Sequence, residues 1–239
     1  MDAARFVVTC TEANRRHLQK VSQTKVYCIY HGLNADLSRL LDEQSAPAER
    51  NGHLRALAVG RLVRKKGFDI FVDACGILKR RGLAFDAVIA GEGGDHESEI
   101  KRRIAQHQLA KHVRLIGPLS QRDLFEEYSR ASAFCLPCRV LENGDRDGIP
   151  NVLTEAMACG VPAISTAVSG IPEIITNNVN GLLVPAEDPE ALADALLRID
   201  RDPVLAQQLS RAGRKIVREK FDGEKSAGQL ADLFRQVMR

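Results

Sequence analysis

The stretch DGIPNVLTEAMACGVP, Asp147 to Pro162, holds two carboxylates, Asp147 and Glu155, separated by seven residues. Gly148 and Pro150 punctuate the chain between them, and a proline pushes the residue before it away from helical dihedrals. Asn151 is a favoured N-cap, and Val152 to Cys159 reads as a short helix that Gly160 and Pro162 stop. Asp147 therefore falls in the loop before a helix N-terminus, and Glu155 about one turn inside the helix. Unpaired backbone N–H groups and the positive end of the dipole make such an N-terminus an anion site. Gly148 lets a ligand approach the backbone closely. A ligand carrying both phosphate and hydroxyl groups fits the place. A surface loop with two solvated acids is the reading that these residues alone leave open beside it.

Other residues could join this chemistry. In GRLVRKKG, Gly60 to Gly67, Arg61 and Lys66 follow a strand-like run and precede a helical one, where cations can clamp phosphates. By itself the motif also fits a solvated basic turn. Gly91 and Gly93 in GEGGD, Gly91 to Asp95, could admit a close backbone approach, though glycine-rich loops are common. GPLS follows a further strand-like run. CLPC, Cys135 to Cys138, has the spacing of a redox or zinc pair, but it ends a strand instead of opening a helix. No second Cys or His pair lies at ligand spacing. The expectation is two incidental thiols and no metal.

These residues need elements to hold them. Short apolar runs alternate with helical patterns, the signature of a parallel sheet covered by helices on both faces. LRALAVG, AFDAVIAG, VRLIG, SAFCLPC, VPAIST and GLLVP read as six strands, and FDIFVDACGILKRRG as the first covering helix. Further helices are expected from near Asp95, Ser120 and Asn151, then over Pro189 to Ile199, Val204 to Glu219 and Glu224 to Arg239. Ligands of open parallel sheets bind beyond the carboxyl ends of the strands, where all four candidate loops fall. Two cations, glycine loops and an acid-flanked helix N-terminus at one edge describe a nucleotide-diphosphate site.

Composition bounds the rest. A chain of 239 residues exceeds one average domain, and its formal net charge of +3 argues against a dedicated nucleic-acid binder. No run approaches the length of a transmembrane span, and MDAARFVVTC is too short in apolar residues for a signal peptide. Four further cysteines, Cys10, Cys28, Cys75 and Cys159, lie in apolar surroundings, as in a reducing compartment. A cytoplasmic protein is expected, either free or peripheral at the inner face of the membrane. The first ~45 residues stand apart: RFVVTC and KVYCIY are two strands around TEANRRHLQKV, with Thr9 and Glu12 at capping-box spacing. One strand-helix-strand unit cannot bury both its faces, so the segment reads as the tail of a domain. QSAPAERNGH reads as a linker.

From Leu54 onward the chain resembles the donor-binding domain of retaining glycosyltransferases of family 4, which have the GT-B architecture. Gly60-Arg61 with Lys66-Gly67 is similar to one family motif, and DGIPNVLTEAMACGVP to the family's pair of acids followed by Ala-Met-Ala-x-Gly-x-Pro. Asp147 stands where the family more often has Glu. SGIPEIITNNVNGLLVPAEDPEALADAL resembles the stretch that follows, and DRDGIPNV is similar to members that build bacterial surface polysaccharides. VVTCTEANRRHL and YHGLNADL resemble the last unit of the acceptor domain and its crossing to the donor domain. His31 belongs to that crossing and is not taken as the family's active-site histidine.

The resemblance implies two Rossmann-like parts: residues 1–45 from the acceptor domain with the crossover, a linker at 46–53, the donor domain at 54–221, and a helix at 222–239 crossing back. It implies sugar transfer from a nucleotide-sugar, UDP- or GDP-linked, to a hydroxyl of a glycan or lipid-linked acceptor, without a metal. Asp147 would hold the donor sugar's hydroxyls and Glu155 the ribose. Arg61 and Lys66 would neutralise the diphosphate, helped by Gly60 and by the backbone of Gly148, Ile149, Pro150, Asn151, Val152 and Leu153. Two alternatives stay open: another GT-B enzyme such as a nucleotide-sugar 2-epimerase, or a non-catalytic donor-binding module or partner subunit. The chain alone is expected to bind donor but to need the remaining acceptor domain for transfer.

Overall fold

A computed structural model describes residues 4–33, 37, 41 and 53–238. It begins with β1 (Val7–Thr9), α1 (Glu12–Val21) and β2 (Val26–Cys28), in which the two strands pair in parallel. None of the residues of α1 is buried, as expected of a unit with too little apolar surface for a core of its own. Thr9 does not open this helix, contrary to the capping-box expectation. It pairs with Cys28 in the strand ladder, and the Thr11 hydroxyl accepts from the Asn14 amide instead. The capping signal lay two residues further on.

The six apolar runs form the main sheet: β3 (Leu54–Val59), β4 (Phe85–Ala90), β5 (Val113–Leu115), β6 (Ala133–Leu136), β7 (Ala163–Thr166) and β8 (Leu182–Val184). All pairings are parallel, in the order β5-β4-β3-β6-β7-β8. Both faces are covered, so β6 and β7 are buried throughout and read as unbroken apolar or small-residue runs. The covering helices are α2 (Phe68–Arg80), α3 (Glu97–Gln106), α4 (Gln121–Arg130), α5 (Asn151–Ala158), the short α6 (Ile171–Ile174), α7 (Pro189–Arg201), α8 (Pro203–Lys220) and α9 (Gly223–Met238). Ten of the residues of α2 are buried, because it crosses the middle of the sheet and packs on α7.

Succession along the chain runs outward from β3 to β5, then restarts at β6 on the other side of β3. The crevice of such a sheet opens where the order reverses, between β3 and β6. Both motif loops flank it, residues 60–67 after β3 and residues 137–150 after β6.

The first unit is fixed to the main sheet by polar contacts. Glu173, on α6, accepts from the Glu12 and Ala13 amides at 2.7 and 2.9 Å and from the Tyr30 hydroxyl at 3.0 Å. The Leu33 amide donates to Phe221 O at 2.9 Å, and the rings of Phe6 and Phe234 meet edge to face. On α9, Leu233 is buried, whereas Leu230, Phe234 and Met238 remain exposed. The linker expected over QSAPAERNGH lies, but for His53, outside the described residues.

Candidate functional site

The basic loop after β3 closes in a single 3-10 turn, Arg64–Lys66, ended by Gly67 at φ 72°. Only glycine takes that dihedral without cost, and a methyl here would overlap the Pro137 carbonyl oxygen. The turn is thus pressed onto the chain leaving β6, across the crevice. Lys66 is 9% exposed, and its Nζ lies 2.9 Å from Asp147 Oδ2. Its neighbour Lys65 reaches Asp145 Oδ1 at 2.8 Å and lies 3.9 Å from Asp147 Oδ1. Lys65, chiefly, with Arg61 adding to the field, holds the Asp145 carboxyl below its ordinary value. Arg61 itself is exposed. The fold therefore gathers Arg61, Lys65, Lys66, Asp145 and Asp147 into one mixed-charge cluster.

The glycine loop after β4 lies beside this cluster. A side chain at Gly91, φ 146°, would overlap the Gly60 carbonyl oxygen, so this glycine serves the packing of the two loops. Leu62 N to Gly93 O at 2.8 Å and His96 N to Leu62 O at 3.0 Å join them further. Around Gly93 there is open space, which leaves this position free for a ligand's approach.

Beyond Asp147 the chain enters α5. Asn151 does not cap it: the cap position is Pro150, in extended conformation at φ −65° and ψ 125°, and Asn151 is already the first helical residue. The proline ring fixes the extended entry, and the Pro150 carbonyl accepts from the Leu153 amide at 3.0 Å. No side chain caps this N-terminus. The Asn151 and Val152 amides precede the first bond of the helix, which the Leu153 amide makes. The side chain of Leu153 is buried in the core and its amide is taken by Pro150 O, so this residue does not face a ligand as the sequence suggested.

Glu155, one turn in, occupies a different environment from Asp147. Its Oε2 accepts from the Tyr128 hydroxyl at 3.0 Å, and that hydroxyl also lies 3.3 Å from Val152 O. Burial pushes the Glu155 carboxyl up, and the Tyr128 hydrogen bond opposes that rise. Asp147 thus faces ammonium groups and Glu155 a neutral phenol. Tyr128, on α4, was not singled out in the sequence, since its pairing with Glu155 depends on two helices meeting. Cys135 and Cys138 are both buried; burial pushes the Cys138 thiol up to about 12 and Cys135 well above its ordinary value, so both are held as thiols. Cys138 Sγ lies 3.7 Å from Asp147 Oδ2, so one thiol borders the site.

A cavity of about 500 Å³ is lined in part by Asp145 and Asp147. Thr11, Asn14 and His17 of the first unit line one wall, and Arg146, Gly148 and Ser169 the other. His31 lines a separate cavity of about 710 Å³ between the small sheet and α9. Among the described residues no group of three or more His, Cys, Asp or Glu is placed to hold a metal ion, and no helix is long and apolar enough to cross a membrane.

In a doubly wound parallel sheet the ligand crevice lies at the switch point, and here cations, acids and a helix N-terminus that no side chain caps border it. Residues 42–216 match the family model of the glycosyl transferases group 1, and the chain belongs to that family. It is 39% identical over 184 residues to the amylovoran biosynthesis glycosyltransferase AmsK of Erwinia amylovora, covering 77% of this chain and 45% of that protein. Against the GDP-mannose-dependent alpha-(1-6)-phosphatidylinositol monomannoside mannosyltransferase of Mycobacterium tuberculosis it is 32% identical over 209 residues, 84% of this chain and 54% of the relative. The chain spans about half the length of the curated relatives it matches. The solved structure of HepE from Anabaena in complex with UDP-glucose shares the fold with a TM-score of 0.80 at 19% identity, over 98% of this chain and 64% of that one.

Proposed function

We propose that this chain carries the donor half of a retaining glycosyltransferase that moves a sugar from a nucleotide-sugar to an acceptor hydroxyl in the building of a surface polysaccharide. The observation that carries the reading is the meeting of Lys66 and Asp147 across the switch point, beside the uncapped N-terminus of α5. The diphosphate would lie on Lys66, Arg61 and the first amides of α5, where positive charge offsets the negative charge that grows on the leaving group. Lys66 would exchange Asp147 for phosphate on binding, freeing that carboxylate to accept from hydroxyls of the sugar. Glu155, held by Tyr128, would accept from the ribose hydroxyls. The proton of the acceptor hydroxyl would leave with the departing diphosphate, so neither acid is asked to carry it.

The two lysines and Arg61 supply the charge that a divalent cation would otherwise bring, so binding in this reading is independent of metal. The names of the relatives support a role in exopolysaccharide or mannoside synthesis, and the GDP-mannose named for one and the UDP-glucose bound in the HepE structure define the first panel to test. Calorimetric titration of UDP-, GDP- and ADP-sugars in the presence of EDTA should show one-to-one binding with preference for one base. Absence of binding to all of them, or strict dependence on a divalent cation, would refute the reading. On transfer, the anomeric proton of the product should keep the donor's configuration by NMR, and an inverted product would overturn the retaining assignment.

A further inference from the structure

Directly behind the basic turn, a carboxylate and a guanidinium are buried together. Asp69, in the first turn of α2, is 3% exposed, and Arg139, just past β6, is 6% exposed. Burying both charges costs solvation that a well-packed apolar pair would not. Arg139 donates through Nη2 to Asp69 Oδ1 and through Nη1 to Glu187 Oε1 at 3.3 Å. His96 Nε2 lies 3.5 Å from Asp69 Oδ1, and Arg103 Nη2 lies 3.8 Å from Asp69 Oδ2. Burial would raise the Asp69 carboxyl, but the Arg139 hydrogen bond and the charges of Arg139, His96 and Arg103 together hold it below its ordinary value.

The members of this cluster come from different connections at the carboxyl edge. Asp69 follows β3, His96 follows β4, Arg139 follows β6 and Glu187 follows β8. Arg139 is also bound directly to the basic turn, since its amide donates to Lys65 O at 2.9 Å. One residue before it, Cys138 borders Asp147. A single side chain thus grips the start of α2 while its own backbone grips the turn that carries both lysines. Asp69 and Arg139 are too buried to reach a ligand themselves.

We propose that Asp69 and Arg139 are positioning residues, which hold the 64–67 turn where Lys66 meets Asp147 and so set the geometry of the diphosphate clamp. The proposal rests on the reading of the site as a nucleotide-sugar site. Its test is the double variant Asp69→Leu/Arg139→Met in the whole chain. Either single change takes the main partner from a buried charge and invites unfolding, whereas an apolar replacement of both commonly preserves stability. The double variant should keep the wild-type urea midpoint yet bind nucleoside diphosphate about tenfold more weakly, because the clamp is misplaced. Binding of the parent nucleoside, followed by NMR titration, should be unchanged. Amide exchange at residues 64–67 should quicken about tenfold while that of β3 and β4 stays constant.

Arg139→Lys is the second variant, keeping the charge but losing the fork that spans Asp69 and Glu187. It should lose diphosphate affinity in the same direction. Wild-type affinity and wild-type exchange in a folded double variant, or wild-type affinity in Arg139→Lys, would overturn the proposal. Failure of the wild-type chain to bind any nucleoside diphosphate would instead remove the ligand reading, and the exchange of residues 64–67 would still decide the positioning role.

Discussion

Replacing Gly67 by alanine asks the basic turn to move, and the structure gives the cost in two parts. At φ 72° an L residue with a Cβ adopts the left-handed conformation, at roughly 1–2 kcal/mol. The added methyl also overlaps the Pro137 carbonyl oxygen, a backbone atom that cannot swing aside. Forced overpacking of this kind costs typically ~1–3 kcal/mol, so the sum is about 2–5 kcal/mol. Gly82 supplies the control. It has nearly the same dihedral, φ 75°, with no atom within 4 Å of an added Cβ. Gly82→Ala should therefore show only the dihedral part, about 1–2 kcal/mol. Urea unfolding with unchanged m-values reads both, and the difference between them measures the pressing of the turn onto the strand-6 loop. Relief of the overlap carries Lys66 away from Asp147, so Gly67→Ala should also weaken diphosphate binding while Gly82→Ala leaves it intact. Equal destabilisation by the two substitutions would refute the packing argument, and unaltered diphosphate affinity in Gly67→Ala would refute its link to the clamp.

Lys66→Ala and Arg61→Ala should each weaken nucleoside diphosphate binding by ~1.5–3 kcal/mol, the range of charge-assisted hydrogen bonds, and calorimetry showing no change in either would remove the clamp. Glu155→Gln should stabilise the unliganded protein at neutral pH while weakening nucleotide binding. The folded-state carboxyl is raised above its ordinary value of 4.5, so the folded chain binds more protons than the unfolded one in that window and loses stability as pH rises through it. Urea midpoints should thus be matched below the ordinary carboxyl value, diverge in favour of the variant as pH rises through the raised folded-state value, and then hold a constant gap; a gap independent of pH throughout would contradict the burial argument. Glu173→Ala removes the acceptor of the Glu12 and Ala13 amides and the Tyr30 hydroxyl, so amide exchange in α1 should quicken while strands β3 to β8 stay protected. Unchanged exchange in α1 would show that Glu173 does not hold the first unit.

What the sequence disclosed follows from which contacts are local. The six strands were legible because a parallel sheet covered on both faces demands near-unbroken apolar runs, as in AFCL of β6 and AIST of β7. Asp147 and Glu155 were legible as a spacing, and Arg61 and Lys66 as a loop between a strand and a helix. The groups that surround them were not. Tyr128 meets Glu155, Lys65 meets Asp145 and Arg139 meets Asp69 only because separate connections converge at one sheet edge, which no short window of sequence contains. Gly91 was read for a ligand, and its tight neighbour is the backbone of Gly60. The two misplaced caps, Thr9 for Thr11 and Asn151 for Pro150, are local errors. In each, a polar residue of the right type stood beside the position where the chain turns.

The most direct test of the account is a crystal structure of the chain soaked with UDP and, separately, GDP. Phosphate oxygens should lie within hydrogen-bond distance of Lys66 Nζ and the first amides of α5, with the Lys66–Asp147 contact opened or shared and the ribose hydroxyls on Glu155. Nucleotide bound elsewhere, for instance in the cavity of about 460 Å³ lined by Asp73, Arg80, Arg102 and His107, with the Lys66–Asp147 pair undisturbed, would contradict it.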